Sequence, residues 1–297
     1  MVNPNRKFKD NPRRHKVTWP NGELMACTFR VAYEAYQGSG KFKHDKTIKV
    51  NQASLSHTEY GGRIGIWRLM DLFDKYDISA SINLNGLAIE AWPDSIKALK
   101  EAGHEIAAHQ TTNSIKLTDL TVDEERAEIR ACTKMIEDAV GIRPIGWGSA
   151  GNIHTEHTVG ILAEEGYKYF GDPFDDDIPY VVSVKGRRMV IIPKLNYAND
   201  FRAWSGGLGN GDTFVKGFVE AFDFLYKEAL SGRPSYIDVI THAELGGRPN
   251  MASAVERMIQ YIKQYGSQVW IANRREITDY LLKQTANRKV PEYTPYK

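Results

Sequence analysis

Two histidines stand where an apolar run stops and small polar residues begin. Gly103-His104-Glu105-Ile106-Ala107-Ala108 leads to His109, and the run from Ser235 to Thr241 leads to His242. Buried strands deliver side chains into a site at their C-terminal ends in this way. Imidazole exchanges protons near neutral pH, so two such histidines suit general acid–base chemistry. Glu34 follows a third run, Leu24 to Tyr33. A carboxylate there serves as base, as metal ligand, as orienter of His109, or simply as the ion-pair partner of an arginine.

Other polar groups gather near element ends. Glu59, Tyr60 and Arg63 flank the start of a helix, where backbone N–H groups favour an anion or a carbonyl. Helix capping with one ion pair is the plain structural alternative. Trp147 ends a short strand, and Asp172 opens an acidic loop that also holds Asp175, Asp176 and Asp177. Asn199-Asp200-Phe201-Arg202 lies in a long loop and is expected to line or cap a pocket. His104 sits five positions before His109 on the same strand and faces the other side. His154 and His157 lack the i,i+4 spacing of a metal pair on one helical face.

The elements that must position these groups alternate along the chain. The periodicity predicts strands at Leu24 to Tyr33, Ile78 to Leu84, up to His109, Arg143 to Trp147, Tyr167 to Phe170, Arg188 to Pro193, Ser235 to His242 and Gln268 to Ala272. Helices are expected at Ile64 to Tyr76, Pro93 to Ala102, Thr121 to Gly141, Thr155 to Glu165, from Asp212 onward, Met251 to Tyr265 and Arg275 to Lys283. Thr121 with Glu124 reads as a capping box, and Gly103, Gly141 and Gly166 as helix stops. The stretches before Gly62 and from Asn196 to Gly211 read as long loops. Strand–helix alternation without a change of composition argues one α/β domain with a parallel sheet. Roughly seven such units suit a barrel better than an open sheet. Glu34, His109, Trp147, Asp172 and His242 then share its C-terminal edge.

The 297 residues carry a formal net charge of +2, which implies neither a nucleic-acid nor a strongly acidic partner. Basic residues at Arg6-Lys7 and Arg13-Arg14 read as a solvated arm. Cys27 and Cys132 stand apart in apolar runs and read as buried thiols. The charged N-terminus lacks an apolar signal core, and no run approaches the ~18 residues of a membrane span. A cytoplasmic protein with no membrane partner is the expectation. The domain reading is an N-terminal arm over 1–20, a barrel over 21–285 and a tail over 286–297.

Taken in order, a set of short motifs resembles the polysaccharide deacetylase (NodB-homology, carbohydrate esterase 4-like) superfamily. The set is Glu59-Tyr60-Gly61 with Arg63, Gly65, Trp67 and Arg68; Gly103-His104-Glu105-Ile106 leading to His109; Arg143-Pro144 with Gly146-Trp147; Asp176-Asp177 with Pro179-Tyr180; Asn199-Asp200 with Arg202; Gly211-Asp212; and His242 with Gly247-Arg248-Pro249. More narrowly it resembles the metal-independent allantoinase and cyclic imide hydrolase branch. The resemblance implies a distorted (β/α) barrel of seven or eight units and a homo-oligomer.

The resemblance also implies site roles. In the family's deacetylases an aspartate pair after the first strand and a histidine pair at i,i+4 build a metal site, and a late histidine acts as general acid. Ala32 stands at the base position, Glu34 at the metal-binding aspartate, His109 at the first metal histidine, Asn113 at the second, and His242 at the late histidine. A neutral Asn113 carbonyl is a poor ligand for zinc. The expectation is therefore no cofactor, with Zn²⁺ or another divalent ion on Glu34, His109 and Asn113 as the alternative. The chain also lacks the allantoinases' arginine-rich loops, with Gln110-Thr111-Thr112-Asn113 after His109 and Glu244 near His242. That points away from allantoin towards another small-molecule amide, imide or ureide.

The expected reaction is hydrolysis of a non-peptide C–N bond. His109, oriented by Glu34, activates water; His242 protonates the leaving nitrogen; Arg63, or backbone N–H groups near it, stabilises the oxyanion. Glu59, Tyr60, Asn113, Trp147, Asp172, Asp200, Arg202 and Glu244 complete the expected substrate site. The rival readings are a metal-dependent N-deacetylase of an N-acetylated sugar and a non-catalytic binding relative.

Overall fold

The computed structural model describes residues 17–36, 52–207 and 210–296. The basic arm before residue 17 and the segment from 37 to 51 lie outside them. Among the described residues ten strands form one sheet: β1 (Met25–Tyr33), β2 (Ser81–Leu84), β3 (Glu105–Ala108), β4 (Gly146–Trp147), β5 (Tyr169–Phe170), β6 (Tyr180–Val184), β7 (Arg187–Ile191), β8 (Ala198–Asn199), β9 (Ser235–His242) and β10 (Val269–Ile271). Eleven helices surround it among the described residues: α1 (Gln52–Tyr60), α2 (Ile66–Lys75), α3 (Gly86–Ala91), α4 (Pro93–Glu101), α5 (Val122–Val140), α6 (Thr158–Glu164), α7 (Asp200–Gly207), α8 (Gly211–Leu230), α9 (Ala243–Gly246), α10 (Pro249–Lys263) and α11 (Arg274–Thr285).

β1 is the axis of this sheet. Its nine residues are all buried, as a strand covered on both faces requires. β9 runs parallel along one edge, from Met25 opposite Ser235 to Ala32 opposite His242. The other edge is shared, with β10 against Met25–Cys27 and β2 against Arg30–Tyr33. The order β6-β7-β5-β4-β3-β2-β1-β9-β8 is parallel except for the β6–β7 hairpin. The sheet curls into an incomplete barrel, β6 and β8 remaining its unpaired ends among the described strands. Ile277 and Leu281 of α11 join Ala26, Ala107 and Tyr169 in one apolar cluster, so α11 packs across the inner face. The larger cluster lies between the sheet and the other helices.

The single α/β barrel expected from the alternation is present. Thr121 and Glu124 form the capping box of α5, and Gly141 closes that helix in the left-handed conformation. Pro93 opens α4. Some local details differ from the expectation. The helix expected from Asp212 onward starts at Gly211 and is capped by Asn210, whose Oδ1 accepts the Asp212 and Thr213 N–H groups. The stretch before Gly62 holds α1, which flows through a π-helical turn, Gly61–Gly65, into α2. The stretch from Asn196 to Gly211 contains β8 and α7, and the one after Asp177 contains β6. The C-terminal tail is tied down: Ser183 N–H donates to Pro291 O at 2.8 Å and Tyr293 N–H to Ser183 O at 2.8 Å. No helix among the described residues is long and apolar enough to cross a membrane.

Candidate active site

Glu34, His109 and His242 meet at the C-terminal ends of β1, β3 and β9. The register explains the meeting. Ala32 is level with His242 on one side and with Asn83 on the other, and Leu84 is level with Ala108. Glu34, one inward position beyond Ala32, therefore reaches between the two imidazoles. Glu34 Oε1 lies 3.6 Å from His109 Nε2 and 3.8 Å from His242 Nε2.

The far side of each ring is fixed. His109 Nδ1 lies 2.5 Å from the Gly148 carbonyl oxygen, which only accepts, so Nδ1 carries the proton. His242 Nδ1 donates to Asp200 Oδ1 at 2.6 Å, while Asp200 Oδ2 accepts the His242 backbone N–H at 2.7 Å. Both rings thus turn Nε2 towards the same carboxylate oxygen. The other oxygen of Glu34 accepts from Tyr36 Oη at 2.6 Å, and Tyr36 Oη accepts from Asn113 Nδ2 at 3.1 Å.

The backbone after His109 turns sharply. Gln110 adopts φ 60°, a conformation that costs a non-glycine residue of order 1 kcal/mol or more. Its side chain offsets this by accepting the Ala150 N–H at 2.8 Å and donating to Ile115 O at 3.0 Å. The turn carries Asn113 back to the site.

These groups line a cavity of about 230 Å³, large enough for a small ring or an acetamido group. Asn113 and Arg202, both expected at the site, line it too. Asp200 is buried behind His242 and orients it without reaching the cavity.

Six expected residues are elsewhere. Glu59 and Arg63 are exposed, and Tyr60 takes a hydrogen bond from Arg68 Nη1 at 2.6 Å with the Arg248 guanidinium over its ring. Gly61 and Gly65 of the π-turn dock on α9, outside the cavity lining: a Cβ on Gly65 would lie 1.9 Å from Ala243 O. Glu244 is buried in that same contact, its backbone nitrogen 3.1 Å from where a Gly61 Cβ would stand. Trp147 is a core residue edge-on to Tyr167, its Nε1 donating to Ser149 Oγ at 3.0 Å. Asp172 is fully buried and accepts the Ser149 N–H at 2.9 Å, so it shapes the loop after β4 from behind.

The cavity also holds residues that the motif reading passed over. Arg30 is on β1, two inward positions before Glu34, and the strand's period-two alternation was a sufficient signal for it. Lys194 and Phe174 come from loop positions with no sequence signature, whereas Asn199 and Phe201 belong to the Asn199–Arg202 run expected to line or cap a pocket. The Lys194 ammonium is pushed down to about 7, first by burial and then by the nearby Arg30 guanidinium.

The donor set does not reproduce a deacetylase metal centre. Ala32 offers no carboxylate, and Asn113 presents its amide nitrogen to Tyr36. Among the described residues no three His, Cys, Asp or Glu side chains are grouped to hold an ion.

A curled barrel with acid–base side chains at its strand ends is the framework of a deacetylase-type hydrolase. Residues 60–170 match the family model for polysaccharide deacetylase. A curated relative from Schizosaccharomyces pombe named "Putative polysaccharide deacetylase" is 27% identical over 295 residues, covering 87% of this chain and 90% of that protein. A solved structure described as a probable polysaccharide deacetylase from Pseudomonas aeruginosa PAO1 is 28% identical with TM-score 0.81, over 90% of this chain and 93% of the other. The PuuE allantoinase structure is likewise 28% identical, with TM-score 0.80 over 94% of both chains. Over most of its length the chain is thus similar to polysaccharide deacetylases, and the likeness extends to the allantoinase structure.

Proposed function

We propose that this protein hydrolyses a non-peptide C–N bond in a small cyclic amide, imide or ureide, without a metal. The observation that carries the reading is the single Glu34 oxygen facing both Nε2 atoms at 3.6 and 3.8 Å. A water between Glu34 and His109 has a carboxylate to orient it and a neutral imidazole to take its proton. The resulting imidazolium keeps its Nδ1–H on the Gly148 carbonyl. The leaving nitrogen takes its proton from His242, whose imidazolium form the Asp200 carboxylate stabilises. The oxyanion role expected of Arg63 passes to Arg202, the cation at the cavity mouth.

The test is turnover of a panel of cyclic imides, ureides and N-acetyl sugars by His109→Ala, His242→Ala and Glu34→Gln proteins. Each change is expected to lower kcat by roughly 10²–10⁴-fold with the fold retained. Near-wild-type rates in both histidine variants would sink the assignment.

A second reading, N-deacetylation of a polysaccharide or its fragments, draws on the names of the relatives and on the shape of the cavity mouth. Phe174, 58% exposed, offers a face on which a sugar ring could stack. Turnover of N-acetyl sugars alone, lost on chelation and restored by Zn²⁺, selects this reading over the first.

A further inference from the structure

The floor of the cavity holds two cations that the acid–base machinery does not use. Arg30 is 4% exposed and lines the cavity, yet its guanidinium donates no hydrogen bond to any described residue, and its Nε is buried without a partner. The nearest carboxylate, Asp238 Oδ2, is 4.0 Å from that Nε. Asp238 is already engaged, taking Arg274 Nη2 at 2.7 Å and Thr28 Oγ1 at 2.7 Å. Lys194, in the loop after β7, donates only to the neutral Asn152 Oδ1 at 2.9 Å. Arg30 and Lys194 are close enough to repel.

A buried guanidinium is costly unless it is paired and hydrogen-bonded. Both groups line one small cavity, and neither makes a hydrogen bond to a carboxylate there. The group that satisfies both is planar, carries a full negative charge and has two acceptor oxygens. We infer that Arg30 and Lys194 form a carboxylate subsite, so that the molecule acted on pairs an amide carbonyl at Glu34, His109 and His242 with a carboxylate held deeper in the barrel. This deepens the hydrolase reading by naming its substrate class, but the subsite itself is a binding property that needs no turnover. A carboxylate released as product, such as acetate, would meet the same two cations.

The probes are N-acetylglycine, its neutral isostere N-acetylglycinamide, and acetate, titrated calorimetrically into the full chain at fixed ionic strength. N-acetylglycine is expected to bind about tenfold tighter than the amide, the weight of one charge-assisted contact. Lys194→Met and Arg30→Met should each bring the two affinities within about twofold. Lys194 sits in a loop, so its variant keeps the test alive should the buried Arg30 change unfold the protein. Acetate binding as tightly as N-acetylglycine also supports the subsite and assigns it to a released product. Equal binding of acid and amide by the unaltered protein, or a preference that survives in a folded Lys194→Met protein, overturns it. Anion binding without turnover of any amide would leave the subsite standing and remove the hydrolase reading.

Discussion

Asp200 grips His242 twice, Oδ1 taking the ring Nδ1–H at 2.6 Å and Oδ2 the backbone N–H at 2.7 Å. Orientation and tautomer of the imidazole are set by the same carboxylate. The ring is further held at its face by Phe201, with centroids 5.9 Å apart. Asp200 therefore positions the His242 imidazole without itself lining the cavity.

Asp200→Asn tests that role. The amide keeps the shape but presents no charge to an imidazolium, and it can offer an N–H where a lone pair is needed. The expected result is a kcat lower by roughly 10–10²-fold with KM little changed. A merely structural role would instead lower the melting temperature and leave the kcat of the folded fraction intact, so kcat and thermal unfolding are measured together.

Lys194 makes stability depend on pH in a definite direction. Its ammonium titrates near 7 in the folded chain, because burial and Arg30 disfavour the charge, against an ordinary value of 10.5. Between these values the unfolded chain binds the extra proton, so this group's contribution to stability rises with pH from about 7 to about 10.5. Below pH 7 both states are protonated and the full cost of the buried charge remains. Lys194→Met removes the cost. The stability advantage of the variant is expected to shrink by about 3 kcal/mol between pH 7 and pH 10. Urea unfolding of both proteins at the two pH values measures it. A constant difference would mean that Lys194 is solvated.

Strand periodicity made the site's main side chains legible because each ends a run of buried residues. Glu34, His109 and His242 are in that class; Arg30 lies inside β1, and only the two-residue alternation with Ala32 and Glu34 marks it as inward-facing. Asp172 and Trp147 also follow strands, yet they turn behind the loop at Ser149. The ends of strands say which layer a residue joins, whereas the loop's own hydrogen bonds decide which way it faces. Glu59, Tyr60 and Arg63 failed for a different reason: nothing local reveals that a run of glycines winds as a π-turn and docks on a distant helix. Lys194 has no periodic signal at all, since its place depends on the length of the loop after β7.

That π-turn contact yields the last expectation. Gly65 and Gly247 approach so closely that a Cβ on Gly247 would stand 2.2 Å from Gly65 Cα, and one on Gly65 would stand 1.9 Å from Ala243 O. Backbone cannot yield there as a flexible side chain would. Ala243 follows His242 directly, and α9 packs back onto β1 and β9. Gly65→Ala must therefore push α9 outward and carry the His242 backbone with it. Overpacking of this kind costs about 1–3 kcal/mol, and a displacement near 1 Å at the acid lowers kcat by about 10²-fold. Gly103→Ala is the control: Gly103 has open space around its Cβ position and φ 74°, so it loses stability through backbone strain while the site stays in place. Equal kcat in the two folded variants would show that α9 does not transmit the contact to His242.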